Sequence, residues 1–292
     1  MSGPQSPRRV EMVVNPASGG VGPDAASEAE RLLAELGVAG RVQAPDPKDI
    51  EAALRTAIDA APDVLVVLAG DGTARAAAEL CGPDGPVLVP LPGGTMNMLP
   101  YAIYGRTTWP EALRGALTDG EVQPLAGGEL EGRLFLVAAV LGAPALWAPA
   151  REAMRAGRLS LAWSRARRAL NRAFSGRLRY ALDGGANGKT EALVLMCPRT
   201  SRGLDDEARV LEAAALDPSG AAEAFRIGVH ALAGDWRDDP SVTVRPCRGA
   251  RIWASGQIPA LIDGELVRLT AGAQARFRPQ VARVLAPAKA RP

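Results

Sequence analysis

Three apolar runs, each followed at once by a glycine-rich loop, constrain the fold of this chain more than any other feature. The runs are Val10–Val14, Val64–Leu68 and Val87–Leu91. Apolar residues at helical spacing occupy Asp24–Leu36, Lys48–Ala60, Thr73–Leu80 and Trp109–Leu117. This alternation of buried strands and helices predicts a parallel α/β sheet over the first ~125 residues. In such a sheet the loops that follow the strands gather at one edge, where ligands bind.

The pattern changes near Pro124, where short strand-like runs separated by Gly, Pro and Asp replace the alternation. This pattern is typical of a β-sandwich or barrel. We therefore expect an α/β domain over residues 8–125 and a β-rich domain over residues 126–280. The predicted strands of the second domain are Leu134–Val140, Leu178–Leu182, Ala192–Met196, Phe225–Leu232, Val242–Val244, Arg251–Ala254, Ile258–Ile262 and Leu266–Leu269.

The three glycine-rich loops have the composition of a phosphate-binding site. Glycine lets the backbone approach an anion closely and turn its N–H groups toward it, and a helix that starts after the loop adds its positive end. Any one such loop could simply join a strand to a helix, but three on one sheet edge, with polar residues between the glycines, favour phosphate. The candidate ligands are Asn15, Ser18, Gly19, Gly70, Gly72, Thr73, Gly93, Gly94, Thr95 and Asn97.

Asp71 is the one acidic residue of these loops. A carboxylate placed among phosphate groups is repelled unless a cation or a proton donor faces it. We therefore expect Asp71 to face a Mg²⁺ ion or a hydroxyl group that is deprotonated.

Several other kinds of site are excluded or disfavoured by the sequence. No GxGxxG follows a strand, and the P-loop-like Gly184–Thr190 is one residue short and joins two strand patterns, which predicts a hairpin turn. His230 is the single histidine, so sites built from several histidines are impossible. The three cysteines are far apart and fit a reducing cytoplasm. A net charge of +2 argues against a nucleic-acid partner.

A fourth motif, Asp263-Gly264-Glu265, lies far downstream. Together with Asn15-Pro16, Gly70–Thr73 and Pro92–Asn97, in this order, it resembles the diacylglycerol kinase catalytic family, which includes sphingosine kinases and bacterial lipid kinases. The resemblance implies an N-terminal nucleotide-binding domain similar to that of NAD kinases and phosphofructokinases. It also implies a β-sandwich domain on the lipid side, ATP in the cleft, and a last strand, within residues 281–288, that completes the first domain.

The resemblance also implies roles for individual residues. Asp71 would lie near the triphosphate of ATP and Mg²⁺, while Asp263 and Glu265 would be the acidic pair near the acceptor hydroxyl. An ordinary Asp-Gly-Glu hairpin turn is the alternative for that pair. The function expected is an ATP-dependent lipid kinase acting on a diacylglycerol-like or sphingoid-like acceptor. A kinase of a soluble acceptor and a non-catalytic nucleotide- or lipid-binding regulator are the alternatives.

An arginine-rich segment suggests how such a protein reaches a lipid. Residues 151–179 contain nine arginines and a single acidic residue, Glu152, which gives a net charge of +8. Within it, apolar residues from Leu159 to Phe174 and basic residues from Arg158 to Arg172 recur at helical spacing. This predicts a basic amphipathic helix on an anionic membrane, although the apolar stripe could instead pack on the β-rich domain. Because Met1–Pro7 lacks the apolar core of a signal peptide, we expect a cytoplasmic protein, peripheral at the inner face of the membrane.

Overall fold

The computed structural model describes residues 9–142, 145, 177–218, 220, 223 and 236–288. The chain divides into two compact units. The first unit comprises two parts of the chain, the residues up to 126 and those from 279 onward. The second unit comprises residues 127–278.

The first unit is a parallel sheet covered by helices. Its strands and helices are β1 (Val10–Val14), β2 (Gly40–Gln43), β3 (Val64–Ala69), β4 (Val87–Pro92), α1 (Ala25–Glu35), α2 (Ile50–Asp59), α3 (Asp71–Cys81), α4 (Met98–Tyr104) and α5 (Trp109–Asp119). Every residue of β1, β3 and β4 is buried. Such continuous apolar strands are typical of a parallel sheet with both faces covered.

The sheet order in the first unit is β2-β1-β3-β4. Next to β4 comes the second half of the last strand, β16 (Gly272–Pro287), whose Val284 pairs in parallel with Leu88. On one face, Leu32 and Leu33 of α1 and Leu113 of α5 join the apolar core under β1, β3 and β4. Because β1, β3 and β4 are parallel neighbours, their carboxyl ends lie side by side.

The second unit consists of two packed sheets. It contains the end of β5 (Gly120–Leu130), the first half of β16, and the strands β6 (Arg133–Phe135), β7 (Ala138–Gly142), β8 (Leu178–Leu182), β9 (Gly188–Thr190), β10 (Ala192–Met196), β11 (Leu211–Leu216), β12 (Val242–Cys247), β13 (Gly249–Trp253), β14 (Ile258–Ile262) and β15 (Glu265–Leu269). One sheet is antiparallel with the order β12-β11-β10-β7-β14-β15. The other sheet has the order β16-β13-β8-β9, to which β16 contributes its first half. In addition, β5 pairs with β16 and with β6. Phe135, Leu178 and Ile252 of this second sheet share one core with Leu193, Leu211 and Ile258 of the first.

The predicted fold class, a parallel α/β domain followed by a β-sandwich, is confirmed. The hairpin predicted at Gly184–Thr190 is also confirmed, because β8 and β9 pair antiparallel around it. The single strand predicted at Leu134–Val140 is wrong, since β6 ends at Phe135 and β7 begins at Ala138.

Two predictions fall on parts of the chain outside the described residues. They are the strand Phe225–Leu232, which contains His230, and the arginine-rich helix that includes Arg158, Arg165, Arg168 and Arg172. Among the residues that the structure does describe, none of the helices has both the length and the apolar character needed to cross a membrane.

Candidate phosphate-binding site

The three glycine-rich loops meet at the carboxyl edge of the sheet in the first unit. We refer to residues 15–20, 69–73 and 92–97 as the first, second and third loops. The N–H of Asn15 donates to the carbonyl of Leu68 at 2.9 Å, just before the second loop. The N–H of Gly20 donates to the carbonyl of Gly93 at 2.9 Å, and the N–H of Gly93 to that of Ala69 at 3.1 Å. Backbone hydrogen bonds therefore join the third loop to both of the others.

Glycine is required where the loops touch. A Cβ atom on Gly94 would lie 2.6 Å from the Cα of Gly70, and one on Gly93 would lie 2.8 Å from the backbone nitrogen of Ala69. A Cβ on Gly20 would lie 3.0 Å from the carbonyl oxygen of Gly94. Since the obstructing atoms belong to the backbone, a side chain at Gly93 or Gly94 would push the second and third loops apart.

The outer surface of this three-loop cluster carries groups that suit an anion. Gly19, Gly72 and Thr95 are exposed, and Ser18 and Thr73 are half-buried. The 11-residue helix α3 begins within the second loop, so its positive end lies there as well. Hydroxyl groups, small glycines and a helix N-terminus thus share one edge, as binding of a phosphate requires.

Asn97 is buried and is used within the third loop. Its Oδ1 accepts the N–H of Gly94 at 2.7 Å, and its Nδ2 donates to the carbonyl of Gly94 at 2.9 Å and to the hydroxyl of Tyr101 at 3.4 Å. Its φ of 49° is a left-handed conformation that asparagine tolerates better than most residues. These contacts stabilise the conformation of the third loop, and the expectation that Asn97 helps to hold a nucleotide stays a prediction.

Asn15 has a similar local contact. Its Oδ1 accepts the N–H of Ala17 at 3.1 Å, which forms a turn at the start of the first loop. This contact fixes the conformation of the first loop immediately after β1.

Asp71 connects the second loop to α4. Its Oδ2 accepts the N–H of Met98 at 3.2 Å, and its Oδ1 accepts the N–H of Leu99 at 3.1 Å. Both donors belong to the first turn of α4, whose N–H groups have no partner within the helix. The sequence did not predict this contact, which is additional to the Mg²⁺ ion or substrate hydroxyl that Asp71 is expected to face.

Asp263 and Glu265 lie in the second unit, at the hairpin that joins β14 to β15. Asp263 and Gly264 form the turn with φ values of 46° and 90°, as an Asp-Gly hairpin requires. The carboxylate of Asp263 accepts three backbone N–H groups, from Leu136 at 2.7 Å and from Val137 and Ala138 at 3.0 Å each. The motif is therefore a hairpin turn, and its aspartate also anchors the connection between β6 and β7.

Glu265 has different surroundings from Asp263. It is the first residue of β15, pairs across the hairpin with Ile262, and is exposed. The two acids of the motif thus differ in exposure, since Asp263 is half-buried and Glu265 is exposed.

The residues that sequence reasoning missed are those that hold the loops in place. Gly20 bonds to the third loop, and Tyr101 contacts Asn97. Gly20 could have been found, because it follows Ser18-Gly19 within the same glycine-rich loop. The part played by Tyr101 depends on α4, which the sequence pattern did not predict.

The chemistry of the loop residues suits phosphate groups together with a magnesium ion. The described residues contain no cluster of three or more His, Cys, Asp or Glu side chains able to hold a metal. Magnesium at nucleotide sites is usually held by one or two carboxylates together with phosphate oxygens, so a full set of protein ligands is not needed. Asp71 is the carboxylate that these loops provide.

Residues 9–130, which include all three loops, match the family model of the diacylglycerol kinase catalytic domain. This segment belongs to that family. The resemblance inferred from the motifs is thereby confirmed for the catalytic domain. No curated protein sequence matches the chain.

Solved structures extend the likeness beyond the catalytic domain. Three solved structures from Bacillus anthracis strain Sterne, two described as putative diacylglycerol kinases and one as a diacylglycerol kinase, each match 96% of this chain and are themselves covered to 97%. Their sequence identities are 15%, 14% and 17%, and their TM-scores are 0.71, 0.69 and 0.71. At these identities the match shows that both units share the fold of those proteins.

Proposed function

We propose that this protein is an ATP-dependent lipid kinase, which transfers the γ-phosphoryl group of ATP to the hydroxyl of a diacylglycerol-like or sphingoid-like lipid. The observation that carries the proposal is the cluster of three interlocked loops in a diacylglycerol kinase catalytic domain. Phosphoryl transfer depends mainly on positioning and charge stabilisation, and glycine-rich loops joined by backbone hydrogen bonds can supply both.

Individual residues of the loops have distinct tasks in this proposal. The hydroxyls of Ser18, Thr73 and Thr95 and the exposed backbone of Gly19 and Gly72 bind phosphate oxygens. Asp71 would hold Mg²⁺ together with the phosphates. Bound Mg²⁺–ATP supplies the phosphoryl group and neutralises the charge that develops during its transfer.

The acceptor side of the reaction is assigned to Glu265. Glu265 is exposed, so its carboxylate is accessible to a lipid hydroxyl and can accept its proton, whereas Asp263 is half-buried and accepts three backbone N–H groups. A carboxylate has about four acceptor positions, so Asp263 has little capacity left for a substrate.

The proposal is tested by incubating the protein with Mg²⁺ and ATP labelled at the γ-phosphorus, together with a total lipid extract in detergent micelles. We expect the label to appear in a phosphorylated lipid, which chromatography then identifies. A parallel reaction with soluble acceptors, NAD among them, provides the comparison. Label in a soluble product would overturn the lipid assignment, and ATP binding without transfer to any acceptor would indicate a regulator.

A further inference from the structure

Asp71 has a structural contact that neither a metal ion nor a substrate explains. Its two carboxylate oxygens each accept a backbone N–H, one from Met98 and one from Leu99. These donors are 27 and 28 residues away in sequence, so the contact joins two separate elements, α3 and α4. Hydrogen bonds to an ionised carboxylate are stronger than those to a neutral acceptor.

The donors lie next to the part of the third loop that touches the second. Asn97, which precedes Met98, brackets Gly94 with two hydrogen bonds. Gly94 in turn approaches Gly70 so closely that no side chain fits between them. A displacement of the start of α4 would therefore move Asn97 and Gly94, and this would change the distance between the second and third loops.

The far end of this segment is fixed as well. Leu99 and Ile103 of α4 are buried, and the hydroxyl of Tyr104 donates to the carbonyl of Leu285 at 2.9 Å. The body of α4 is thus held by the core and by β16. The contact with Asp71 holds its first turn against the second loop.

We propose that Asp71 is a positioning residue for the phosphate-binding loops, in addition to any contact that it makes with Mg²⁺. Its carboxylate holds the start of α4 against the start of α3, and this sets the spacing of the second and third loops to which a triphosphate binds. The inference rests on the proposed function, because it concerns the nucleotide that this function requires.

The two possible roles of Asp71 predict opposite results when no metal is present. If Asp71 acts only on Mg²⁺ or on the acceptor, Asp71→Asn removes a negative charge beside the phosphates and strengthens metal-free ATP binding. If Asp71 positions the loops, the same substitution weakens metal-free binding, because the gain from lost repulsion is smaller than the loss of a formed site. We expect affinity to fall about tenfold, which corresponds to about 1.4 kcal/mol.

The experiment measures ATP binding by calorimetry in excess chelator, and amide hydrogen exchange over residues 96–104, for the wild-type protein and for Asp71→Asn. Glu79→Gln is the matched control, because Glu79 is an exposed acid on the same helix α3. We expect weaker binding and faster exchange at Met98 and Leu99 in Asp71→Asn, with Glu79→Gln unchanged in both measurements. Asp71→Glu, which keeps the charge and both acceptor oxygens, is expected to recover part of the loss.

Unchanged or tighter metal-free binding by Asp71→Asn, with exchange like that of wild type, would overturn the positioning role. Should Asp71→Asn fail to fold, Asp71→Ser, which also removes the charge and cannot accept both N–H groups, is measured in its place by the same criteria. If the wild-type protein itself binds no ATP, with or without Mg²⁺, it is the proposed function that fails, and the exchange data alone then decide whether Asp71 holds α4.

Discussion

The aspartates of two motifs bind backbone N–H groups, two at Asp71 and three at Asp263. The sequence shows that each aspartate lies next to a glycine. It does not show which N–H groups the carboxylate accepts, because those donors lie 27 to 127 residues away in the chain. Glu265, two positions after Asp263, is the first residue of β15 and is exposed. The sequence left open which acid of this pair would act on the acceptor in the proposed reaction, and the exposure of Glu265 favours that residue.

Substitutions in the Asp-Gly-Glu motif should separate stability from activity. Asparagine at position 263 tolerates the left-handed backbone but cannot accept three N–H groups as a carboxylate does, so Asp263→Asn should lower the free energy of unfolding by about 2–3 kcal/mol. Glu265→Gln should change that free energy by less than about 0.5 kcal/mol and reduce lipid phosphorylation about 10²-fold or more. Urea denaturation and the transfer assay measure the two effects. Normal turnover in Glu265→Gln would contradict its role as a base.

The buried cysteine thiols are expected to lower the free energy of unfolding at high pH. Burial raises the pKa of Cys81 to about 12, and burial together with the charge of Asp183 raises that of Cys247 to about 12. An unfolded thiol titrates near 9.0, so the folded state keeps a proton that the unfolded state loses as pH rises. The stability from the neutral thiols is fully present below about pH 9 and decreases between there and pH 12.

We expect the titration of each of these two thiols to lower the free energy of unfolding by about 1–2 kcal/mol when the pH is raised from 8 to 10.5. Urea denaturation at both pH values measures the loss. In the double variant Cys81→Ala, Cys247→Ala the decrease over this pH interval should be smaller than in wild type. An equal decrease in both proteins would show that other groups account for the pH dependence.

The elements found from the sequence are those whose apolar pattern is long and local. Val10–Val14, Ala192–Met196 and Ile258–Ile262 were predicted with the bounds that the structure has, because each is a continuous buried or alternating run between turn residues. The three glycine-rich loops could be located because they follow three such strands. The sequence could predict which chemical groups lie in the loops at the carboxyl ends of these strands. It could not predict which contacts those groups make with one another.

The elements that were missed depend on tertiary contacts. Helix α4 has only seven residues and contains Pro100, and its first turn is held by Asp71 from another element. Strand β11, with the sequence LEAAAL, has strong helix formers but lies between β10 and β12 in a sheet. The break between β6 and β7 occurs where Asp263 takes the N–H groups of Leu136 and Val137. Local sequence contains no signal for any of these partners.

The last strand contributes to the stability of the first unit. Val284 is fully buried and pairs with Leu88 of β4, although 196 residues separate them in the chain. Val284→Ala should lower the free energy of unfolding by about 2–3 kcal/mol, because a buried side chain leaves a cavity. Val122→Ala is the matched control, since Val122 is 51% exposed and its truncation should cost less than about 0.5 kcal/mol. Equal effects of the two substitutions on chemical denaturation would contradict the placement of β16.

The distribution of charge over the chain is uneven. Residues 151–179 carry a net charge of +8 in a protein whose total is +2, so the rest of the chain is acidic. A lipid kinase must reach its substrate at a membrane surface, and each basic residue near an anionic surface contributes about 1 kcal/mol of attraction. We therefore propose that this segment binds anionic membranes peripherally.

Reversal of the charges at Arg165, Arg168 and Arg172 to glutamate should weaken co-sedimentation with anionic vesicles and raise the apparent KM for lipid. The KM for ATP should stay unchanged, and wild-type binding should decrease with added salt, because salt screens the attraction. The matched control reverses three exposed arginines of the second unit, Arg245, Arg251 and Arg268. If this control loses vesicle binding to the same degree, total charge and not the segment is responsible.

The three interlocked loops are the centre of this account, and equilibrium ATP binding by Gly94→Ala in the presence of Mg²⁺ tests them most directly. A Cβ at Gly94 would lie 2.6 Å from the Cα of Gly70, whereas one at Gly22 would meet no atom within 4 Å. Gly22→Ala, the same chemical change just beyond the first loop, is therefore the control. We predict that calorimetry shows ATP affinity reduced about tenfold or more in Gly94→Ala and unchanged in Gly22→Ala. Wild-type affinity in a folded Gly94→Ala protein would contradict the assignment of these loops as the triphosphate site.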